Sequence, residues 1–183
     1  FTQAAEVELV GELLPSEVTV SNATGCVSFT GSGCIGGEAR LLKSGSGSLS
    51  ISGAHSFTGG TTLEAGELVL SHAEALGRGK VLLLGGQLNL SDQSVGNAIQ
   101  VRGGTEITGG SQYRGELVMQ IGTLRGDALN LSSTAQLHGG EIALELTGSG
   151  GVQVLGDVRL SSVGSYSGTT TISNGTLTLG HAQ

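Results

Sequence analysis

The chain has 183 residues, the size of one domain or at most two, and carries a net charge of −7 with only eight Lys and Arg residues. Its 34 glycines are several times the usual share, but they do not recur at every third position and there is one proline, so collagen is excluded. Low basic charge and scattered aromatic residues exclude nucleic acid as a partner.

No apolar run approaches the roughly 18 residues that a membrane-spanning helix needs, so we expect no direct membrane insertion by this chain. It begins at Phe1 without a methionine or a leader pattern, and we therefore expect a piece of a longer protein.

Short strand patterns separated by glycine-rich turns run along the whole chain. Each has a glycine, any residue, an aliphatic residue, any residue and a second aliphatic residue, and this alternation predicts a strand with one buried face. The pattern begins at Gly47, Gly66, Gly86, Gly140, Gly156 and Gly175, and looser versions begin at Gly104 and Gly126. A copy at Gly115 indicates a second strand within one coil, and the mean spacing of the other starts is about 18 residues.

Helices and hairpins are poorly supported. The best helical candidate is a single turn at residues 71–77, so folds that need crossover helices are excluded. The only hairpin-type dipeptide is Asn174-Gly175, which lies inside a repeat. The sequence therefore predicts an all-β parallel β-helix, a solenoid of nine or ten rungs and no significant α-helix. At about 4.8 Å per rung it would be roughly 45 Å long.

A longer repeat lies on top of this period. Residues 57–73 match residues 166–182 without a gap at an offset of 109, and residues 45–53 match residues 148–156 at an offset of 103. The difference predicts a six-residue insertion near residues 157–162.

These motifs resemble the autotransporter-associated β-strand repeat, with copies at about 45–79 and 148–182. The resemblance implies a right-handed β-helix, with residues 1–183 forming a single passenger fragment of a Gram-negative autotransporter. It also implies a secreted, cell-surface location, with anchoring in the outer membrane through a barrel that is not part of this chain.

Passengers of this kind are commonly adhesins, so the resemblance favours a stalk or adhesin segment whose partner is a host-surface or matrix glycan or protein. A glycan-active β-helix enzyme is one alternative. A toxin or a module that self-associates through its end rungs is another. We expect no enzymatic activity and no cofactor.

Cys26 and Cys34 lie close together in a glycine-rich segment. This favours a small disulfide loop in an oxidising compartment, with two free thiols as the alternative. Metal binding is disfavoured because no histidine is nearby.

Other glycine and histidine motifs give no cofactor or metal site. Residues 31–36 fit G-x-G-x-x-G, but neither a long helix nor an acidic residue about 20 positions on follows, as dinucleotide binding would require. No Gly-Gly pair continues into the aspartate pattern of calcium-binding β-rolls. The four histidines, His55, His72, His138 and His181, are far apart and fall in predicted turns.

Carboxylates on neighbouring rungs are the remaining catalytic possibility. Glu67, or Glu141 with Glu145, could seed a pair of the kind that glycoside hydrolysis needs. These residues and Glu116 all occupy the outward phase of their strands, which favours a solvated face that blocks edge pairing. We therefore predict no catalytic residues.

Overall fold

The computed structural model of the protein describes residues 1–109 and 111–180. Within these ranges the chain forms 24 short strands and no helix. Numbered in chain order, the strands are β1 Ala5–Leu9, β2 Glu12–Leu13, β3 Glu17–Val20, β4 Cys26–Gly31, β5 Cys34–Ile35, β6 Arg40–Lys43, β7 Ser48–Ile51, β8 Thr61–Leu63, β9 Glu67–Leu70, β10 Val81–Leu83, β11 Gln87–Asn89, β12 Ile99–Val101, β13 Thr105–Thr108, β14 Ser111–Tyr113, β15 Leu117–Met119, β16 Thr123–Gly126, β17 Leu129–Leu131, β18 Ala135–Leu137, β19 Gly140–Ile142, β20 Leu146–Gly148, β21 Val152–Val154, β22 Val158–Leu160, β23 Thr170–Ile172 and β24 Leu177–Leu179.

All pairings among the described strands are parallel, and they build two large sheets and two small ones. The long sheet has the order β1-β4-β7-β9-β11-β13-β16-β19-β22-β24, and the second sheet has the order β3-β6-β8-β10-β12-β15-β18-β21-β23. The short sheet is β14-β17-β20, and β2 pairs with β5. The chain thus passes from the long sheet to the second sheet and back once per rung.

Measured between paired strands of the long sheet, a rung is 18 to 22 residues long. Ala5 pairs with Val27, 22 residues further on, Leu68 pairs with Leu88, 20 further on, and Leu124 pairs with Ile142, 18 further on. The nine strands of the second sheet mark about nine turns, and the predicted all-β parallel solenoid is confirmed. The predicted start at Gly126 precedes β17, a strand of the short sheet, whereas the long-sheet strand of that rung is β16, which begins at Thr123.

Inward side chains stack into continuous aliphatic columns. In the long sheet, Val27, Leu49, Leu68 and Leu88 lie above one another through strand pairing, and each is fully buried. Burying a side chain of this size stabilises the fold by about 1.5–3 kcal/mol. Each column therefore stabilises the stacking of successive rungs.

The columns of the long sheet shift by two residues between β13 and β16. Ile107 pairs with Gly126, whereas Thr105 pairs with Leu124, from which the column continues through Ile142. A Cβ at position 126 would collide with the carbonyl oxygen of Ile107, so this position requires glycine. Because glycine stands opposite Ile107, β16 can pair with β13 without a side chain that would collide with Ile107.

Irregular segments replace the third strand in four rungs, at residues 52–60, 71–80, 90–98 and 161–169. The predicted single helical turn is a hydrogen-bonded turn in which Ala75 N–H donates to His72 O at 3.1 Å. Ala75, Leu76 and Val95 point inward and are fully buried, so these segments close the third side of the column.

The predicted insertion at residues 157–162 is instead a regular strand. β22 lies in the long sheet, at the position that β7 occupies in the earlier repeat. Strand β21, which the sequence aligned with β7, lies in the second sheet. The two repeats therefore correspond without a gap at an offset of 109, from residue 48 onward.

Candidate functional site: the outward face of the long sheet

The outward side chains of β9, β11 and β13 form a ladder of polar groups. Glu67, Gln87 and Glu106 are register neighbours in one row, and Asn89 and Thr108 are neighbours in the next. We call these five residues the polar face. Because paired strands are about 4.8 Å apart, like positions repeat at that spacing along the axis.

Hydrogen bonds between rungs orient the polar face. Asn89 Nδ2 donates to Glu67 Oε1 at 3.4 Å, and Gln87 Nε2 donates to Thr108 Oγ1 at 3.2 Å. The Asn89 side-chain oxygen accepts from the Ser91 N–H at 3.0 Å. All five side chains keep solvent contact, and Glu106 is exposed. The face therefore presents fixed carboxylate, amide and hydroxyl groups to an external ligand.

A shallow cleft adjoins the polar face at the corner that precedes β13 and β16. Its volume is about 340 Å³, and it is lined by Gly86, Gly104, Thr105, Glu106, Thr123 and Arg125. Glu106 and Arg125 are register neighbours, so the cleft holds one charge of each sign. A neutral, hydroxyl-rich ligand could hydrogen-bond to both.

Further along the long sheet, Glu141 and Arg159 are register neighbours and form an ion pair at 3.6 Å. Glu141 also accepts a hydrogen bond from Ser161 Oγ. The two side chains are 36% and 55% exposed, so the pair contributes little to stability, on the order of 0–1 kcal/mol.

The candidate catalytic carboxylates are not paired with one another. Glu141 lies in β19 of the long sheet, whereas Glu145 precedes β20 of the short sheet and accepts from Ser165 Oγ at 3.0 Å. The strand register places Ser48 and Gln87, not carboxylates, on either side of Glu67. Glu116 is exposed and accepts from Gln136 Nε2 at 3.0 Å. Strand pairing thus brings no two of the four together.

Both cysteines are free thiols in the structure. Cys26 begins β4 of the long sheet, and Cys34 begins β5, which pairs with β2. An extended six-residue strand spans roughly 17 Å from first to last residue, whereas a disulfide needs Cα atoms within about 7 Å. Joining the two thiols would therefore require β4 to bend out of the long sheet.

Two of the histidines, His55 and His72, lie near each other on adjacent rungs. His55 is 4% exposed, its backbone N–H donates to Glu74 O, and its Nδ1 accepts from the Ile35 N–H at 3.1 Å. Burial, and secondarily the nearby charge of His72, lowers the pKa of His55. His138 is exposed in a corner, and His181 lies outside the described residues. Contacts of this kind, between residues about 20 positions apart, can be predicted from a sequence only when the length of a rung is known.

Sequence reasoning missed a buried lysine. Lys43 stands in the second-sheet column between Val20 and Leu63, with no solvent exposure. Its ammonium group donates to the carbonyl oxygens of Ser44 at 2.7 Å and Gly45 at 2.9 Å, and burial lowers its pKa. The sequence signal was present, because alternation in the strand puts Lys43 on the same side as Leu41.

A buried tyrosine was also missed. The Tyr113 hydroxyl donates to Asn97 O at 2.7 Å and accepts from the Ile99 N–H at 2.9 Å. Burial raises the pKa of this hydroxyl. Tyr113 is the last residue of β14, and its hydroxyl links the first strand of the short sheet to the corner before β12.

The other motifs occupy structural positions. Residues 31–36 run from the end of β4 through β5, and no helix follows them among the described residues. Among residues 1–109 and 111–180, no group of three or more His, Cys, Asp and Glu side chains is placed to hold a metal ion. The same part of the chain contains no helix of the length and apolarity needed to cross a bilayer.

Parallel strands that stack in rungs of similar length, with two gapless copies of one repeat, define a β-solenoid repeat protein. Residues 41–70 and 144–179 match the family model described as passenger-associated-transport-repeat. The chain is also 32% identical, over 151 residues or 79% of its length, to the adhesin BmaC autotransporter of Brucella suis biovar 1 (strain 1330). It spans 4% of that relative's length, and no solved structure matches it. The matched repeats and the adhesin relative confirm the predicted recognition of an autotransporter passenger repeat.

Proposed function

We propose that residues 1–183 act as one surface-exposed stalk and adhesin segment of a Gram-negative autotransporter passenger. The observation that carries the proposal is the uninterrupted solenoid column, which presents an ordered polar face, in a chain whose matched relative is an adhesin. The segment is held outside the cell through another part of the full-length protein.

The stalk role follows from how the rungs adhere. Backbone hydrogen bonds between paired strands run along the axis, and the aliphatic columns continue from rung to rung. About nine rungs at about 4.8 Å give a spacer of roughly 43 Å. The longest connections between the described strands have nine or ten residues and form backbone hydrogen bonds with neighbouring rungs, so few sites are open to surface proteases.

The binding role rests on the polar face. Its carboxylate, amide and hydroxyl groups are fixed by hydrogen bonds between rungs, so a ligand need not order them on binding. The five residues include no aromatic side chain, so recognition would rely on hydrogen bonds, and a glycan of host or matrix origin is the ligand class that fits best. Contacts repeated along the axis would add affinity through multivalency.

Retention of beads coated with the chain tests the binding role, and trypsin digestion tests the stalk role. We expect the beads to be retained on an array of host and matrix glycans, and the double variant Gln87→Ala, Asn89→Ala to lower retention by about tenfold. The matched control, Gln100→Ala with Gln153→Ala, alters outward glutamines of the second sheet and should leave retention unchanged. Equal retention of the two double variants, or none by the parent chain, would refute the binding role. Rapid trypsin cleavage within the strands would refute the stalk role.

A further inference from the structure

Two neighbouring strands of the long sheet carry opposite charges that are open to the cleft. Glu106 of β13 and Arg125 of β16 are register neighbours, both side chains are exposed, and both line the cleft of about 340 Å³. Glu141 of β19 and Arg159 of β22 have the same relation, an acid with a base one rung further on, and they form an ion pair at 3.6 Å. In the described part of the chain this ion pair is the only one, so Glu106 and Arg125 do not pair with each other.

A buried hydroxyl group beside these charges also lacks a partner. Thr105 lines the cleft and is 3% exposed, and its hydroxyl oxygen has no hydrogen-bond partner among the described residues. A buried polar group without a partner destabilises a fold, so such a group favours a partner from outside the chain. A Cβ built on the adjacent Gly104 would meet nothing within 4 Å, so the space over this corner is open to a ligand. The cleft thus combines an acid, a base and a hydroxyl group that the described residues leave unpaired.

The close spacing of the two charges disfavours a charged ligand. Paired strands are about 4.8 Å apart, so a ligand carboxylate bound to Arg125 would also lie near Glu106 and be repelled by it. A ligand ammonium group bound to Glu106 would be repelled by Arg125 in the same way. Two hydroxyl groups on adjacent carbons avoid both conflicts, because one can donate to a carboxylate while the other accepts from a guanidinium. Such hydrogen bonds to charged groups are stronger than those between neutral groups.

We propose that the cleft is a subsite for one uncharged sugar residue, which bridges Glu106 and Arg125 through hydroxyl groups on adjacent carbons. One hydroxyl donates to the Glu106 carboxylate, the next accepts from the Arg125 guanidinium, and Thr105 bonds a third polar group of the sugar. The cleft is at the lower end of the volume range of small-molecule sites, so it holds a single residue of a longer glycan. This inference rests on the proposed binding role of the polar face, and it adds that acidic and amino sugars are rejected.

Binding of the full chain to immobilised oligosaccharides tests the subsite. The probes are uncharged oligomers of glucose, galactose and mannose, with an oligomer of galacturonate as the acidic probe. We expect the chain to bind at least one uncharged oligomer and not the galacturonate oligomer. Glu106→Gln and Arg125→Gln should each weaken binding of the uncharged oligomer about five- to tenfold, because each replaces a charged partner by a neutral one. Glu106→Gln should also begin to bind the galacturonate oligomer, a gain that loss of structure would not produce.

The matched control is Arg159→Gln, which removes the same charge from the closed ion pair of the same sheet and should bind as the parent chain does. Equal binding by the parent chain, Glu106→Gln and Arg125→Gln would overturn the subsite, as would a parent chain that prefers the galacturonate oligomer. In both cases, retention on glycans that depends on Gln87 and Asn89 would leave the proposed function standing. A parent chain that binds no glycan would refute the proposed binding role, and this inference with it.

Discussion

Gly66 is the corner residue before β9, and we expect its replacement by alanine to lower the free energy of unfolding of the solenoid. Its φ is +75°, a conformation that costs an L-residue with a side chain about 1–2 kcal/mol. A Cβ there would lie closer than 3.0 Å to the carbonyl oxygens of Gly45 and Gly47 and to Lys43 Nζ. Both oxygens belong to the previous rung, so they can move only if the pairing of β9 with β7 loosens.

Together the two effects predict that Gly66→Ala lowers the free energy of unfolding by about 2–5 kcal/mol, since forced contacts in a packed site cost about 1–3 kcal/mol. Gly104→Ala is the matched control. Gly104 is also a corner residue, but its φ is not positive and a Cβ there would meet nothing within 4 Å. That change should be neutral or stabilise the chain by up to about 1 kcal/mol, because alanine restricts the unfolded state.

Chemical denaturation followed by far-ultraviolet circular dichroism measures the difference. With a slope of about 2 kcal/mol per molar urea, the midpoint of Gly66→Ala should fall by about 1–2.5 M, and that of Gly104→Ala should stay or rise. If the midpoints of the two variants shift equally, the loss of glycine as such would explain the effect. The reasoning that contacts with carbonyl oxygens of the previous rung exclude a side chain at position 66 would then be refuted.

Three further predictions follow from buried or reactive groups. Burial lowers the folded-state pKa of His55, so the unfolded chain binds the extra proton, and stability should fall as pH drops below about 6.5, by at most about 1.4 kcal/mol per pH unit from this group. The fall should be smaller in His55→Asn, and identical pH profiles in denaturation would contradict it. Tyr113→Phe should cost about 1–2 kcal/mol in the same assay, because a buried carbonyl loses its donor, and an unchanged midpoint would count against that bond. Cys26 and Cys34 should both react with a maleimide without prior reduction, whereas a native mass about 2 Da lower than the reduced mass would show a disulfide.

The rung architecture was predictable because each strand of the long sheet carries its own sequence signal. A glycine at a corner and two aliphatic residues in alternation mark β7, β9 and β11, and the structure has strands there. The signal fails at β16, where Thr123-Leu-Arg-Gly126 offers one aliphatic residue instead of two. The register shift at this rung places Gly126 over Ile107, so the usual second aliphatic residue has no room.

Which sheet a strand joins was not predictable from its pattern. Strands of the long sheet and of the second sheet both alternate aliphatic and polar residues, so β21 was aligned with β7 and β22 was taken for an insertion. Contacts between rungs were equally hidden, because they join residues about 20 positions apart and depend on the length of every intervening corner. The contact of His55 with Ile35, and the ladder from Glu67 to Asn89, are of this kind.

The parallel stacking also determines how the chain would respond to tension. The hydrogen bonds that join rungs point along the axis, so a force applied at the two ends peels one rung after another instead of shearing a whole sheet. Each rung of about 20 residues releases up to roughly 70 Å of extended chain when it yields. Under sustained tension the segment would therefore lengthen in steps of one rung.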